Sequence, residues 1–198
     1  MKNIIIGALT LLFSLNTNAT LINIYETNSG LSNIGQAQAV IDNALTVDTT
    51  LTSDNIFFSD IGENGAGAFP GGHHTTFVLT ATGIIDTSLY SALKFFHDDG
   101  IDVNLGGNSL YSYNANTPIR DSGWKTFSDT GLTSFDLLFW ENGGAASILV
   151  YGQLRDGLTA EIQPTEIANF STVAVPEPST IAIFAIGLLG LVSRKMKK

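Results

Sequence analysis

Short apolar runs separated by Gly, Asn, Asp, Ser and Thr make up the stretch from residue 20 to residue 172. Runs of about four to eight apolar residues bounded by such turn formers are typical of strands. Many short strands with frequent turns favour an antiparallel sandwich or barrel, and we predict an all-β, jelly-roll-like antiparallel β-sandwich. The predicted strands are Leu21–Tyr25, Thr50–Phe58, Thr75–Thr82, Tyr90–His97, Ile101–Leu105, Leu110–Tyr113, Gly123–Phe127, Ser134–Trp140 and Ser147–Leu154.

One segment, Asn33–Leu45, repeats its apolar residues at the period of a helix. Ser32 or Asn33 can cap its first turn, because short polar side chains accept hydrogen bonds from free backbone N–H groups there. The sequence therefore predicts one short helix, whose apolar face would carry Ile34, Ala37, Val40, Ile41 and Ala44.

The charges are unevenly distributed along the 198 residues. Residues 20–175 hold four basic and 17 acidic residues, a net charge of −13. Nucleic-acid binding needs clustered Lys and Arg, so we expect no nucleic-acid partner. The chain has no Cys, which excludes disulfides, thiolate metal sites and a Cys nucleophile.

The N-terminus has the features of a secretory signal peptide. Lys2 precedes the apolar run Ile4–Leu15, and the small residues Thr17 and Ala19 follow. We predict an N-terminal signal helix over residues 1–19, with cleavage by signal peptidase after Ala19. A buried N-terminal helix is the alternative.

The C-terminus combines a proline motif, an apolar run and a basic end. The motif is Pro176, Glu177, Pro178 and Ser179, followed by Thr180–Val192 and then by Arg194–Lys198. A basic end is expected to stay cytoplasmic, which would hold an exported chain at the membrane. A plain membrane anchor is the alternative. The predicted division is a signal peptide at 1–19, a secreted domain at 20–172 and a tail with a transmembrane helix at 173–198.

This arrangement resembles the PEP-CTERM sorting signal of Gram-negative bacteria. The resemblance implies export, cleavage near the motif by an exosortase, and delivery to the cell surface or an exopolysaccharide matrix.

The central domain resembles the protective-antigen/flocculin-type β-sandwich module of toxins, glycosidases and adhesins. Four segments carry the resemblance: Leu31–Gln38, Thr76–Gly83, Phe95–Gly107 and Phe139–Tyr151. Within them, Asp98-Asp99-Gly100 and Asn142-Gly143-Gly144-Ala145 contribute most.

In lectin members of that family, two adjacent Asp residues joined by a cis peptide bind calcium, which takes two sugar hydroxyls. The resemblance implies that Asp98 and Asp99 are the carboxylate ligands, that Asn142 is the third side-chain ligand, and that carbonyls near Gly144 and Ala146 complete the shell. No aromatic residue follows Asn142 in its loop. The alternative is a structural turn whose carboxylates accept backbone N–H groups.

Other residues suggest little chemistry. His73 and His74 could bind zinc, but no third ligand lies at a suitable spacing. Trp124 and Trp140 are predicted to be core aromatics on strands. There is no Gly-x-Ser-x-Gly motif, and we predict that the protein is not an enzyme.

The function predicted from the sequence is a calcium-assisted carbohydrate-binding or adhesion module. Its expected partners are surface or matrix polysaccharide and, before processing, the membrane. The alternatives are a purely structural matrix protein without a specific ligand and, less favoured, a small glycosidase.

Overall fold

Antiparallel strand pairing organises the part of the chain that the computed structural model describes, which is residues 20–53, 55–72 and 75–155. The predicted signal helix, the sorting tail, the residues from 156 onward and the His73-His74 pair lie outside the described residues. The helices within the described ranges lack the length and apolar character of a membrane span.

Within these ranges the chain forms eleven strands, one α-helix and one 3-10 turn at Glu63–Gly65. The helix α1 is Ile34–Asn43. The strands are β1 Thr20–Glu26, β2 Thr49–Ser53, β3 Phe57–Ser59, β4 Phe77–Asp86, β5 Tyr90–Asp98, β6 Gly100–Leu105, β7 Asn108–Tyr113, β8 Arg120–Asp121, β9 Lys125–Thr126, β10 Leu132–Glu141 and β11 Ser147–Leu154.

The strands form two sheets. The larger sheet has the order β2-β1-β4-β10-β6-β7, and the smaller has the order β3-β11-β5-β8 with β9 also paired to β5. All of these strand pairs are antiparallel. The predicted antiparallel sandwich with one helix is confirmed.

The main core lies between the two sheets, because side chains alternate between the two faces of each strand. In β10, for example, Phe135, Leu137 and Phe139 face this core. The larger sheet also contributes Ile22, Ile24, Phe77, Leu79, Ala81, Ile101 and Val103, and the smaller sheet contributes Phe58, Leu93, Phe95, Ile148 and Val150.

A second, smaller core lies between the helix and the outer face of the larger sheet. Asn33 caps the helix, since its side chain accepts a hydrogen bond from Gln36 N at 3.0 Å. Ala37 of the helix is fully buried together with Val78 and Trp140 of the sheet. The apolar periodicity of the segment therefore has its physical origin in this packing.

The structure corrects two strand predictions. Thr50–Phe58 is not one strand, because its first half pairs with β1 in the larger sheet and its end pairs with β11 in the smaller one. Gly123–Phe127 is reduced to β9. Trp124 precedes that short strand and lies in an outer cluster, whereas Trp140 is fully buried.

The glycine of Asp98-Asp99-Gly100 has a packing role. Gly100 lies opposite Trp140 in the register of β6 and β10. A Cβ atom at Gly100 would lie 1.9 Å from Trp140 Cζ2. The indole ring therefore rests directly on the backbone of β6, a contact that only glycine permits.

Replacing Gly100 with alanine is expected to destabilise the fold by about 1–3 kcal/mol, because the added methyl group overpacks a fully buried ring. Urea denaturation monitored by circular dichroism measures this loss. Gly67→Ala is the matched control, since a Cβ there has no atom within 4 Å. Equal unfolding midpoints for the two variants would contradict the packing role.

Candidate functional site

Three carboxylates converge where strands β5, β6 and β10 meet. Asp98 ends β5, Asp99 links β5 to β6, and Glu141 ends β10. One carboxylate oxygen from each lies within 4.8 Å of the others. Asp99 is 7% exposed and Glu141 is 1% exposed. The antiparallel pairing of β10 with β6 produces this proximity, because it places Trp140 opposite Gly100.

Backbone donors hold Asp99 in place. Its Oδ1 atom accepts a hydrogen bond from Thr117 N, and its Oδ2 atom accepts one from Asn142 N, both at 2.8 Å. The peptide bond between Asp98 and Asp99 is cis. A carboxylate oxygen has two lone pairs, so each Asp99 oxygen keeps acceptor capacity beyond these bonds.

Glu141 is only half satisfied. Its Oε1 atom accepts a hydrogen bond from Gly143 N at 2.8 Å. Its Oε2 atom is buried and has no hydrogen-bond partner among the described residues. Gly143 and Gly144 both have positive φ angles, 114° and 122°, which allow the loop to turn back over the carboxylate. A buried acceptor without a donor is uncommon, and a buried carboxylate beside two others is electrostatically unfavourable.

The pKa values reflect this crowding. Burial, and then the negative charge of Asp99, raises the pKa of Glu141 to about 8, although the N–H of Gly143 opposes the shift. Burial and Asp99 likewise raise the pKa of Asp98 to about 6. Without a cation, the cluster therefore carries at least one proton at neutral pH.

His97 fixes the backbone beneath the cluster. Its ring is fully buried, with Nδ1 at 2.6 Å from the Asp99 carbonyl oxygen and Nε2 at 3.0 Å from the Tyr111 hydroxyl. A carbonyl oxygen only accepts, so Nδ1 carries the hydrogen and Nε2 accepts from Tyr111. Burial lowers the pKa of His97 and Arg120 lowers it further, against the opposing bond to Asp99, which keeps the ring neutral.

Asn142 contacts the site through its backbone. Its side-chain oxygen accepts a hydrogen bond from Leu31 N, which ties the loop before α1 to the loop after β10. Its role as a metal ligand stays a prediction. Sequence reasoning missed Glu141, although an acid at the end of the predicted strand Ser134–Trp140, directly before Asn142, was a visible signal.

Comparison with known proteins identifies the C-terminal segment. Residues 174–198 match the PEP-CTERM protein-sorting motif. That motif marks exported proteins sorted to the cell surface or the extracellular matrix, which confirms the predicted localisation. No curated protein matches the chain.

Solved structures share the fold of the central domain. The PA14 domain of the antifreeze protein MpAFP is 21% identical with a TM-score of 0.56, and the match covers 72% of this chain and 84% of that domain. A PA14 sugar-binding domain from an RTX adhesin is 20% identical with a TM-score of 0.57, covering 71% and 92%.

A third structure is the Epithelial Adhesin 6 A domain from Candida glabrata, in complex with Galβ1-3GlcNAc. It is 10% identical with a TM-score of 0.53, covering 83% of this chain and 90% of that one. These similarities confirm the protective-antigen/flocculin-type sandwich at the level of the fold.

The raised pKa of Glu141 predicts the pH dependence of stability without divalent cations. Folded Glu141 keeps its proton up to about pH 8, whereas the unfolded side chain loses it near 4.5. This contribution to stability is therefore complete below pH 4.5 and is lost as the pH rises to about 8. Glu141→Gln should lose less stability than the parent protein between pH 5 and pH 8.

Urea denaturation in EDTA at both pH values measures the difference. Asp136→Asn removes an exposed carboxylate outside the cluster and serves as the control. If Glu141→Gln and the parent protein show the same pH dependence, the Glu141 carboxyl does not titrate as described.

Proposed function

We propose that this protein is an exported, non-enzymatic carbohydrate-binding or adhesion module that binds calcium at Asp98, Asp99 and Glu141. The observation that carries the proposal is the buried carboxylate of Glu141: its Oε2 atom has no donor among the described residues, and the group belongs to a cluster of three carboxylates. Glu141 takes the place of a third side-chain ligand, next to the predicted ligand Asn142.

A hard cation suits this donor set. Calcium binds about six to eight oxygen atoms, tolerates irregular geometry and favours carboxylates and backbone carbonyls. The cluster supplies carboxylate oxygens alone, without sulfur or imidazole. A divalent charge would offset the repulsion that raises the pKa of Glu141 and Asp98.

Calcium binding should therefore displace protons from the cluster. At neutral pH Glu141 must lose its proton before it can act as a ligand, so calcium affinity should increase from pH 6 to pH 8.

The loop beside the cluster leaves room for a saccharide. Residues from Asn142 to Ala145 are exposed, and their side chains are small after Asn142. A calcium ion held by these carboxylates beside the loop would supply coordination for sugar hydroxyl groups, which would orient the sugar ring. The RTX adhesin domain is a sugar-binding domain and the Candida adhesin domain binds Galβ1-3GlcNAc, which supports the same role here.

The calcium hypothesis predicts endothermic or exothermic heat when calcium is titrated into the protein, together with a higher melting temperature. Glu141→Gln and Asp99→Asn should each weaken binding at least about tenfold, because each removes a charged ligand from the cluster. Isothermal titration calorimetry in two buffers of different ionisation enthalpy also counts the protons released.

Asp136→Asn is again the matched control and should bind calcium like the parent protein. Magnesium, which requires near-octahedral geometry, should bind more weakly. Absence of heat and of a thermal shift at millimolar calcium would leave the cluster as a structural turn.

A glycan array with and without chelator separates carbohydrate binding from a structural ion. Retention that chelator abolishes supports the adhesion module. Calcium binding without any glycan retention supports the structural matrix protein, and release of reducing sugar from matrix polysaccharide would indicate a glycosidase.

Processing by an exosortase is the remaining part of the proposal. Deletion of Val175–Lys198 should leave the melting temperature of the sandwich unchanged and alter where the protein accumulates, because the sorting motif lies at 174–198. Fractionation of cells that express both forms measures this. Identical distributions of the truncated and full-length chains would refute a sorting role for the tail.

A further inference from the structure

Four aromatic rings lie together on the outer face of the smaller sheet, away from the main core. Phe57, Phe96 and Trp124 are half-buried, while Tyr151 is 4% exposed. They form a cluster over Ala66 and Leu149 that is separate from the core between the sheets. We call these four rings the outer aromatic surface.

Strand register explains how the surface forms. Tyr151 of β11 pairs with Lys94 of β5, and the next outward pair is Leu149 with Phe96. The Tyr151 ring contacts Phe57 at a centroid distance of 5.6 Å and Phe96 at 5.4 Å, both edge to face. These contacts hold the rings in fixed orientations.

Lys94 lies at the centre of this surface. Its Nζ atom is 5.1 Å from the centroid of Phe96, 5.0 Å from Trp124 and 5.5 Å from Tyr151. The ammonium group is held by aromatic rings. It keeps three N–H donors that a ligand resting on the rings can use.

The rim of the surface is polar and its charges are mixed. Burial raises the pKa of the Tyr151 hydroxyl, the hydrogen bond with Asn64 lowers it, and the nearby Glu63 and Asp121 carboxylates raise it. One cation therefore faces two anions, in a domain whose net charge is already strongly negative. A polyanion would be repelled, whereas an uncharged ligand meets both donors and acceptors.

We propose that the outer aromatic surface binds a neutral polysaccharide, whose C–H faces rest on the rings of Trp124 and Phe96 while its hydroxyls bond to Lys94 and Asn64. A pyranose ring combines an apolar face with a polar edge, which matches half-buried rings with a polar rim. This goes beyond the proposed function, because neither the carboxylate cluster nor an ion is required.

The surface is also continuous with the carboxylate cluster. Lys94, Phe96 and Asp98 alternate along β5 and lie on the same face of the strand. Each step of two residues covers about 6.6 Å. A chain of several sugar units that lies along β5 can therefore reach both places.

Affinity electrophoresis of the full chain in EDTA tests the proposal, in a detergent without a sugar headgroup. The probes are two neutral polymers, hydroxyethyl cellulose and galactomannan, and two anionic ones, alginate and polygalacturonate. We expect at least one neutral polymer to retard the protein. Trp124→Ala and Phe96→Ala should each weaken this binding at least about tenfold. The control is Tyr25→Ala, which removes a half-buried ring packed against the helix layer and should leave retardation unchanged.

Three results would overturn the proposal: no retardation by either neutral polymer, retardation by the anionic polymers alone, or retardation that Trp124→Ala leaves intact. Retardation that appears only with calcium would also overturn it, while supporting the carboxylate cluster as the binding site. Failure of the calcium hypothesis, in contrast, leaves the result in EDTA unaffected.

Tryptophan fluorescence gives a second readout that does not depend on truncating a large side chain. The chain has two Trp residues, and Trp140 is fully buried. Saturating neutral polymer in EDTA should shift the emission to shorter wavelength and protect it from acrylamide. Trp124→Phe, which leaves only Trp140, should show neither effect. An unchanged response in that variant would place the binding elsewhere.

Discussion

The pairing of β10 with both β4 and β6 holds the larger sheet together. It also positions the core side chains, the surface beneath the helix and Glu141. One face of β10 carries Phe135, Leu137 and Phe139 into the core between the sheets. The other face carries Trp140 beneath the helix. The ring of Trp140 rests on Gly100, so the register of β10 against β6 has little freedom to slip. Glu141, at the end of β10, therefore lies beside Asp98 and Asp99.

This register brings three carboxylates close together, and backbone N–H donors compensate for their repulsion only in part. Asp99 receives two backbone N–H donors, while one oxygen of Glu141 receives none among the described residues. Burial and mutual repulsion therefore raise the pKa of Glu141 to about 8. A buried carboxylate whose ionised form is destabilised in the folded state is typical of a binding site. Binding of a cation or a proton removes that destabilisation.

Three of the four cations among the described residues lie against aromatic rings. Arg120 lies 4.5 Å from the Tyr113 ring, and Lys125 lies 4.9 Å from the Tyr111 ring. Lys94 is surrounded by the outer aromatic surface. Three of the acids, in contrast, converge where β5 and β10 end. The two candidate sites are thus a largely buried anionic cluster and a half-buried aromatic surface.

The local pattern of the sequence determined the kind of element at most positions. Short apolar runs bounded by turn formers predicted most of the strands, the helical period and a cap at Ser32 or Asn33 predicted α1, and the Pro-Glu-Pro tail predicted sorting. These features depend on neighbours along the chain, or on a segment that is recognised by itself.

Which distant residues meet depends on how the strands pair. The split of Thr50–Phe58 between two sheets depends on partners in β1 and β11. The proximity of Glu141 to Asp99, and the bond from Asn142 N–H to Asp99 across 43 residues, follow from strand register. Trp124 lies on the outer aromatic surface because it packs against the cluster that contains Tyr151 of β11 and beneath Lys94 of β5. The period of the apolar residues indicates which face of a strand or helix a side chain lies on. Contacts between strands depend on how the strands pair, which the local sequence does not determine.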